Sequence, residues 1–252
     1  MFRMLKLKPP HGWRAVLWEL GIVTVGVLIA LGAQQAVDMV HNHRVAAETR
    51  EAITQEINTN LANVQLRATA EPCIARRLAE VRTLIEQWGR TGDYQTPLWV
   101  AQAPTLTITL PHYDAAHSAG RLALLPRDEQ YQIGRVIDDL RDFQQIQDSE
   151  SEAWPDLRQL QSGADALSAT DRTVIRQAVQ RAAYQDYRVR LAIRQALPAA
   201  ATYGFRPDMR RFHDIAKRIW KSGRYTPSIC AAIDTPPAQA NELTGQQVPL
   251  PF

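Results

Sequence analysis

The residues with chemistry to offer are six histidines, two cysteines and an uneven spread of charge. The histidines do not assemble a metal site by spacing. His41 and His43 are two apart and would point in different directions from a helix. His112, Asp114 and His117 form the one local cluster. Asp114 and His117 can share a helix face, but His112 and His117 diverge, so the three are expected to face solvent rather than hold a metal. Cys73 and Cys230 have no neighbouring histidine and make a poor zinc site. As an even pair they are candidates for a disulfide if the compartment is oxidising. There is no G-x-S-x-G elbow, no H-E-x-x-H and no Walker loop, and Ser118 beside His117 is adjacency rather than a triad. The expectation is therefore no catalytic residue, no cofactor and no enzyme.

Charge is the second chemical signal. Residues 127–156 hold nine acids against Arg127, Arg135 and Arg141, a net of −6. Residues 172–224 hold thirteen basic residues against Asp186, Asp208 and Asp214, a net of +10. Two antiparallel helices with complementary outer faces explain this pattern. A basic face for anionic lipid heads, cell-wall polymers or an acidic partner is the sharper alternative. The whole chain carries only +3, which argues against a general polyanion binder, and nucleic acid is not expected.

These residues must be positioned by a chain that starts from one apolar stretch. Ala15–Ala33 holds a single charge, Glu19, and as a helix would be about 28 Å long, enough to cross a hydrocarbon core. The flank before it carries Arg3, Lys6, Lys8 and Arg14 with no acid, which places the N-terminus in the cytoplasm and the rest outside. Trp13 and Trp18 suit the inner interface. Ala30-Leu31-Gly32 would pass as a signal-peptidase site, but the helical pattern continues unbroken through Gln34, Gln35 and Val37, so an uncleaved anchor is expected. Glu19, Gly26, Ala30 and Ala33 line one side of that helix, a candidate contact face for another membrane helix. The rival reading is that small residues are common in membrane helices and that Glu19 snorkels to the near interface.

The stretch WELGIVTVGVLIALGAQQAVD at Trp18–Asp38 resembles the start of a family of bacterial single-pass membrane proteins, with a basic leader and a Glu-containing helix ending G-x-L-I-A-L-x-x-Q, here Gly26 to Gln34. YDAAHSAGRLALLP at Tyr113–Pro126 resembles a later family segment, aromatic-x-x-A-x-x-S-G-x-L. Tyr113 stands there where Trp is usual, and Ala119 intervenes between Ser118 and Gly120. The resemblance covers about a third of the chain. It implies a bacterial inner-membrane anchor with a periplasmic helical domain, and implies no activity.

Beyond the anchor the periodicity predicts an all-α chain: an antiparallel helical bundle with one extended, strand-compatible segment near 91–112. A helix should run from Gln34 to about Ala70, and Pro72 should open a second, with Ile74, Leu78, Val81, Ile85 and Trp88 buried and Gly89 and Gly92 closing it. These two should form a hairpin returning towards the membrane. TLTITL at Thr105–Leu110 alternates like a strand; it either pairs with Leu98-Trp99-Val100 or lies extended over the bundle. A pocket, if present, is expected near Trp99 and Tyr113. Pro111–Leu125 reads as a short helix, and Pro126 opens a long one to about Leu160 that Pro155 kinks or splits. Ser168 with Asp171 should cap a helix to about Ala196, interrupted by Pro198, and a last helix should open near Pro207 with Met209, Phe212, Ala216 and Ile219 on one face, closed by Ser222-Gly223. The domain reading is a leader at 1–14, an anchor at 15–37, a helical domain at 38–234 and a Pro-containing disordered tail at 235–252. It leads to a membrane-anchored interaction or accessory module, with the bilayer, a membrane or periplasmic protein, or further copies of itself as partners. A ligand-binding module acting through a partner is the alternative.

Overall fold

The computed structural model describes residues 12–210, 212–214, 217 and 227–236. Among them the regular structure is helical throughout, with no strand. Helix α1, Trp13–Ala68, is 56 residues and so about 84 Å long. Its first half stands exposed and holds an 18-residue window of mean hydropathy 2.1 with none of it buried, long and apolar enough to cross a membrane. Its second half enters the domain at Ala46 and buries Ile53, Ile57, Leu61 and Val64 at three- and four-residue spacing.

The junction to α2, Glu71–Thr91, takes only Thr69 and Ala70, both right-handed in backbone. The Thr69 hydroxyl donates to Leu66 O at 2.7 Å, and Ala70 N donates to Arg67 O at 3.1 Å. Two right-handed residues bend the chain without reversing it. The expected hairpin is therefore not formed: α2 packs on a later helix, α6, instead of returning along α1. Its buried face is the expected one, with Arg77 added. Gly92, at φ 75°, ends it in the left-handed conformation that glycine adopts without strain, while Gly89 stays inside the helix.

Helix α3, Pro111–Ser118, is followed by a 3-10 turn at Arg121–Leu124 and then α4, Arg127–Ser151. Pro155 splits rather than kinks the expected long helix: α4 stops, and α5, Trp154–Arg158, restarts with the proline in its first turn. Two further 3-10 turns lead to α6, Ala169–Thr202, which opens on the expected capping box. Asp171 N donates to Ser168 Oγ at 3.2 Å, and Ser168 N donates to the Asp171 carboxylate at 2.7 Å. That hydrogen bonding holds the Asp171 carboxyl below its ordinary range. Pro198 does not interrupt α6. It lies on the outer face with Arg194, whose carbonyl cannot receive a bond from the proline nitrogen four residues on. Of the last expected helix, Met209, Arg210, Phe212–Asp214 and Lys217 are helical; Ala216 and Ile219, the closing Ser222-Gly223 and the tail from 237 lie outside the described residues.

The domain has two storeys strung on α6. Nearer the exposed first half of α1, one cluster joins Ile53, Ile57 and Leu61 of α1 to Val136, Leu140 and Phe143 of α4 and Val189 and Ile193 of α6. Farther out, a second joins Ile74, Val81 and Trp88 of α2 to Trp154 and Leu157 of α5 and Ile175, Ala178 and Ala182 of α6. The short helix α7, Pro227–Cys230, closes the outer storey against α2.

Candidate functional site

A contact face is expected along the first half of α1. Glu19, Gly26, Ala30 and Ala33 all lie in the exposed half of α1, within one side of the helix. A Cβ built at Gly26 meets nothing within 4 Å. Where α1 enters the domain, the side facing the core carries Ala46, Ile53, Ile57 and Val64. The anchor face lies roughly half a turn away from that side.

At the level of the domain, one flank of α1 forms a groove of about 790 Å³ with the segment that follows α6. Its α1 wall is Ala47, Arg50, Glu51, Thr54 and Asn58; its other wall runs from Arg206 to Arg210. That segment is fixed from below. Arg206 N donates to the Asn58 carboxamide at 2.9 Å, and Asp208 N donates to Asn58 O at 2.9 Å. Arg50 reaches the Glu129 carboxylate with two bonds, one of them 2.8 Å, which raises the Arg50 pKa. A second cavity of about 500 Å³ lies higher, where Leu124 approaches Met39, Asn42 and His43.

Between the two storeys lies a cluster of charges that the apolar patterning hides. Arg67 Nη2 meets Glu150 Oε2 at 2.7 Å, with both side chains buried. Asp186 is buried close by and pairs with Arg190 at 3.1 Å. Burial pushes the Glu150 and Asp186 carboxyls up, against the pull of Arg67 on both and of Arg190 on Asp186. Burial also raises Glu71, against Arg67. Arg67 Nε and Nη1, Glu150 Oε1 and Asp186 Oδ1 have no hydrogen-bond partner among the described residues. The sequence carried a signal for this cluster. Arg67 follows Asn60 and Val64 in the α1 stripe, Glu150 follows Phe143 and Gln147 in α4, and Asp186 sits between Ala182 and Val189 in α6. Each is a charge at a core position.

Trp99 and Tyr113 are not brought together. Trp99 packs at the edge of the outer cluster and Tyr113 at the edge of the inner one, and neither lines the cavities described here. Leu98-Trp99-Val100 does not pair with Thr105–Leu110; Trp99 N donates instead to Ile233 O at 3.0 Å. Tyr113 stacks on His117 with ring centres 5.9 Å apart, and Arg141 lies 5.4 Å over its ring while pairing with Asp114 at 2.7 Å. Among the described residues no group of three or more His, Cys, Asp and Glu could hold a metal ion.

The sulfurs of Cys73 and Cys230 lie at bonding distance, 2.03 Å, and tie α7 to the first turn of α2. Arg77, fully buried, strengthens the tie by donating to Trp99 O, Ala231 O and the Glu80 carboxylate. Burial lowers the Arg77 pKa, against Glu80.

No family model, no curated protein and no solved structure matches this chain.

Proposed function

We propose that this is a single-pass, membrane-anchored helical module that works by protein–protein interaction at a bacterial inner membrane, with its domain on the periplasmic side. The observation that carries the reading is the first half of α1, an apolar helix that stands exposed among the described residues. The basic flank before it supports the orientation. The Cys73–Cys230 pair supports an oxidising compartment for the domain. A second reading, a module that binds a small polar ligand, is favoured by the groove between Ala47–Asn58 and Arg206–Arg210, whose walls carry three arginines and Glu51.

The test is purification of the full chain from the membrane in mild detergent, followed by mass spectrometry of the chain and of what accompanies it. The interaction reading expects a second protein in fixed ratio and a chain that still begins with its anchor. Recovery without any other protein overturns it in favour of the ligand reading. A chain starting after Ala33, in the soluble fraction, overturns the anchor.

A further inference from the structure

Helix α6 carries six arginines and two aspartates, and the fold does not absorb that charge. Asp171 is held in the capping box, and Asp186 is buried against Arg190. Helix α4 lies antiparallel along α6 and brings the acids of 127–151 beside it. Yet among the described residues no ion pair joins the two helices. Arg181 reaches Asp156 of α5 instead, and Arg172 lies over the Trp88 ring. Arg176, Arg188 and Arg194 are left without an ion pair among the described residues.

Two of these three bracket an exposed strip. Arg176, Gln180, Tyr184, Tyr187, Leu191 and Arg194 recur at spacings of four, four, three, four and three, so they share one face of α6 about 27 Å long. All six are exposed, and Tyr184, Tyr187 and Leu191 keep 60%, 55% and 40% of their surface in water. No acid stands among the exposed residues of α6. Beyond α1 the other exposed large apolar side chains among the described residues are scattered, at Leu98, Leu124, Tyr131 and Met209. Tyrosine and arginine are the types that interface centres enrich. A tyrosine buries a large area at little cost in rotamer freedom, and an arginine meets a carboxylate with a planar fork. Arg188, on the edge towards α4, shares a groove of about 200 Å³ with Asp139 and Asp142, which offsets part of its charge. Arg194 is close enough to lower the Glu71 carboxyl without bonding it.

We propose that this face of α6 docks an acidic, amphipathic face of a partner protein, with carboxylates for Arg176 and Arg194 and an apolar strip for Tyr184, Tyr187 and Leu191. The proposal rests on the interaction reading given above and names the chemistry of the partner. Charge complementarity sets the acids, because the strip has a cation at each end and no anion between. Other occupants fit less well. A bilayer is flat, whereas the strip runs along α6 from the outer storey into the inner one, so only one of its ends approaches the first half of α1. A small ligand needs a concave site, whereas the strip is the convex side of one helix and only Leu191 reaches a groove. A second copy could offer the acids of its own α4, but Tyr131 is the one large apolar side chain exposed on that helix, so the tyrosine strip would find no apolar counterpart.

The experiment exploits the scarcity of lysine. The four lysines, Lys6, Lys8, Lys217 and Lys221, all lie outside α6. Single substitutions Arg176→Lys and Arg194→Lys in the full chain place an amine at each end of the strip, and a water-soluble carbodiimide added to native membranes joins it to any carboxylate in contact. Each should give an adduct with a second protein several-fold stronger than Arg82→Lys, Arg121→Lys or the unaltered chain. Mass spectrometry should map the joint to an Asp or Glu beside apolar residues of that protein. Arg176→Glu with Arg194→Glu should lower recovery of the same protein about ten-fold while keeping the helical circular dichroism. Should that variant lose its helical signal, Tyr184→Ala with Tyr187→Ala makes the same test. Adducts no stronger than the controls, an adduct at twice the chain mass, or recovery untouched by both double variants would each overturn the proposal. A second protein that co-purifies in fixed ratio but couples only at the control positions sinks this face alone. No second protein in either experiment sinks the interaction reading as well.

Discussion

The Arg67–Glu150 pair joins α1 to α4 inside the domain at 2.7 Å. Both partners are buried, and each keeps polar atoms without a hydrogen bond, so the pair positions α1 against α4 more than it stabilises either. Losing one partner strands the other in an apolar setting. Arg67→Met alone should cost about 3–5 kcal/mol, whereas Arg67→Met with Glu150→Leu should recover much of that. The pH dependence follows from the raised carboxyls of Glu150, Asp186 and Glu71. A carboxyl raised by folding binds its proton more tightly in the native state, so stability grows as pH falls from the raised value towards the ordinary carboxylate range. The melting temperature should therefore rise on acidification from pH 7.5 to about pH 5 in the full chain, and less so in the double variant. A melting temperature that falls over that range, or a slope untouched by the two substitutions, would contradict this account. Asp171 has the opposite sign, but its contribution is lost only below the ordinary range, outside this window. Three- and four-residue periodicity of apolar residues alone does not reveal the charged cluster. Arg67, Glu150 and Asp186 continue the apolar stripes in phase, but by type Glu150 and Asp186 count towards the charge expected on the outer faces of their helices.

At the scale of elements, Thr105–Leu110 shows how a strand signal can be satisfied without a sheet. The alternation is real: Leu106 and Leu110 turn inward, while Thr107 and Thr109 face out. A lone extended segment must still bond its backbone. Carboxamides take the place of a partner strand. Gln147 accepts from Leu106 N at 3.0 Å and donates to Leu106 O at 3.1 Å. Asn60 does the same for Thr109, at 3.2 and 2.8 Å. Gln144 accepts from Ile108 N at 2.8 Å. The Glu56 carboxylate then takes His112 N and Tyr113 N at 2.8 and 2.9 Å, closing the open start of α3. The period and the extended backbone of this segment are legible in the sequence; its partners are not, because a carboxamide on a helix stripe does not tell which distant backbone it meets. Gln147→Leu keeps the volume and removes both bonds, leaving two buried backbone groups unpaired at about 1–3 kcal/mol each. Limited proteolysis of that variant should cut within 94–110 well before the unaltered chain is cut. Equal cleavage rates would mean that apolar packing, not the carboxamide, holds the segment.

For the whole molecule, the two storeys explain which long-range features could be read and which could not. Apolar stripes gave the helices and their inward faces, and Pro72, Pro126 and Ser168 marked where helices open. Direction was lost at the α1–α2 junction, where a proline signal cannot say whether the chain reverses or runs on. Because it runs on, α2 depends on α6, α5 and the returning C-terminal segment for its cover, and the outer storey is closed by residues 157 positions away in sequence. That dependence gives the Cys73–Cys230 bond its weight. In the chain-entropy model a loop of this length stabilises the fold by about 4–5 kcal/mol, because it restricts the unfolded chain rather than adding a native contact. Arg77 also donates to Trp99 O and Ala231 O, contacts that do not involve the sulfurs, so without the bond the segment is expected to stay docked and the loss to be thermodynamic rather than structural. The full chain should migrate faster on a non-reducing gel than after reduction, and Cys73→Ser should abolish the difference. The Cys73→Ser protein should keep its helical circular dichroism yet melt lower by about 10 °C, at roughly 2–4 °C per kcal/mol for a domain near this size. An unchanged melting temperature would show that the Arg77 contacts alone hold the outer storey closed, and loss of the helical signal would show that the bond is needed to form it.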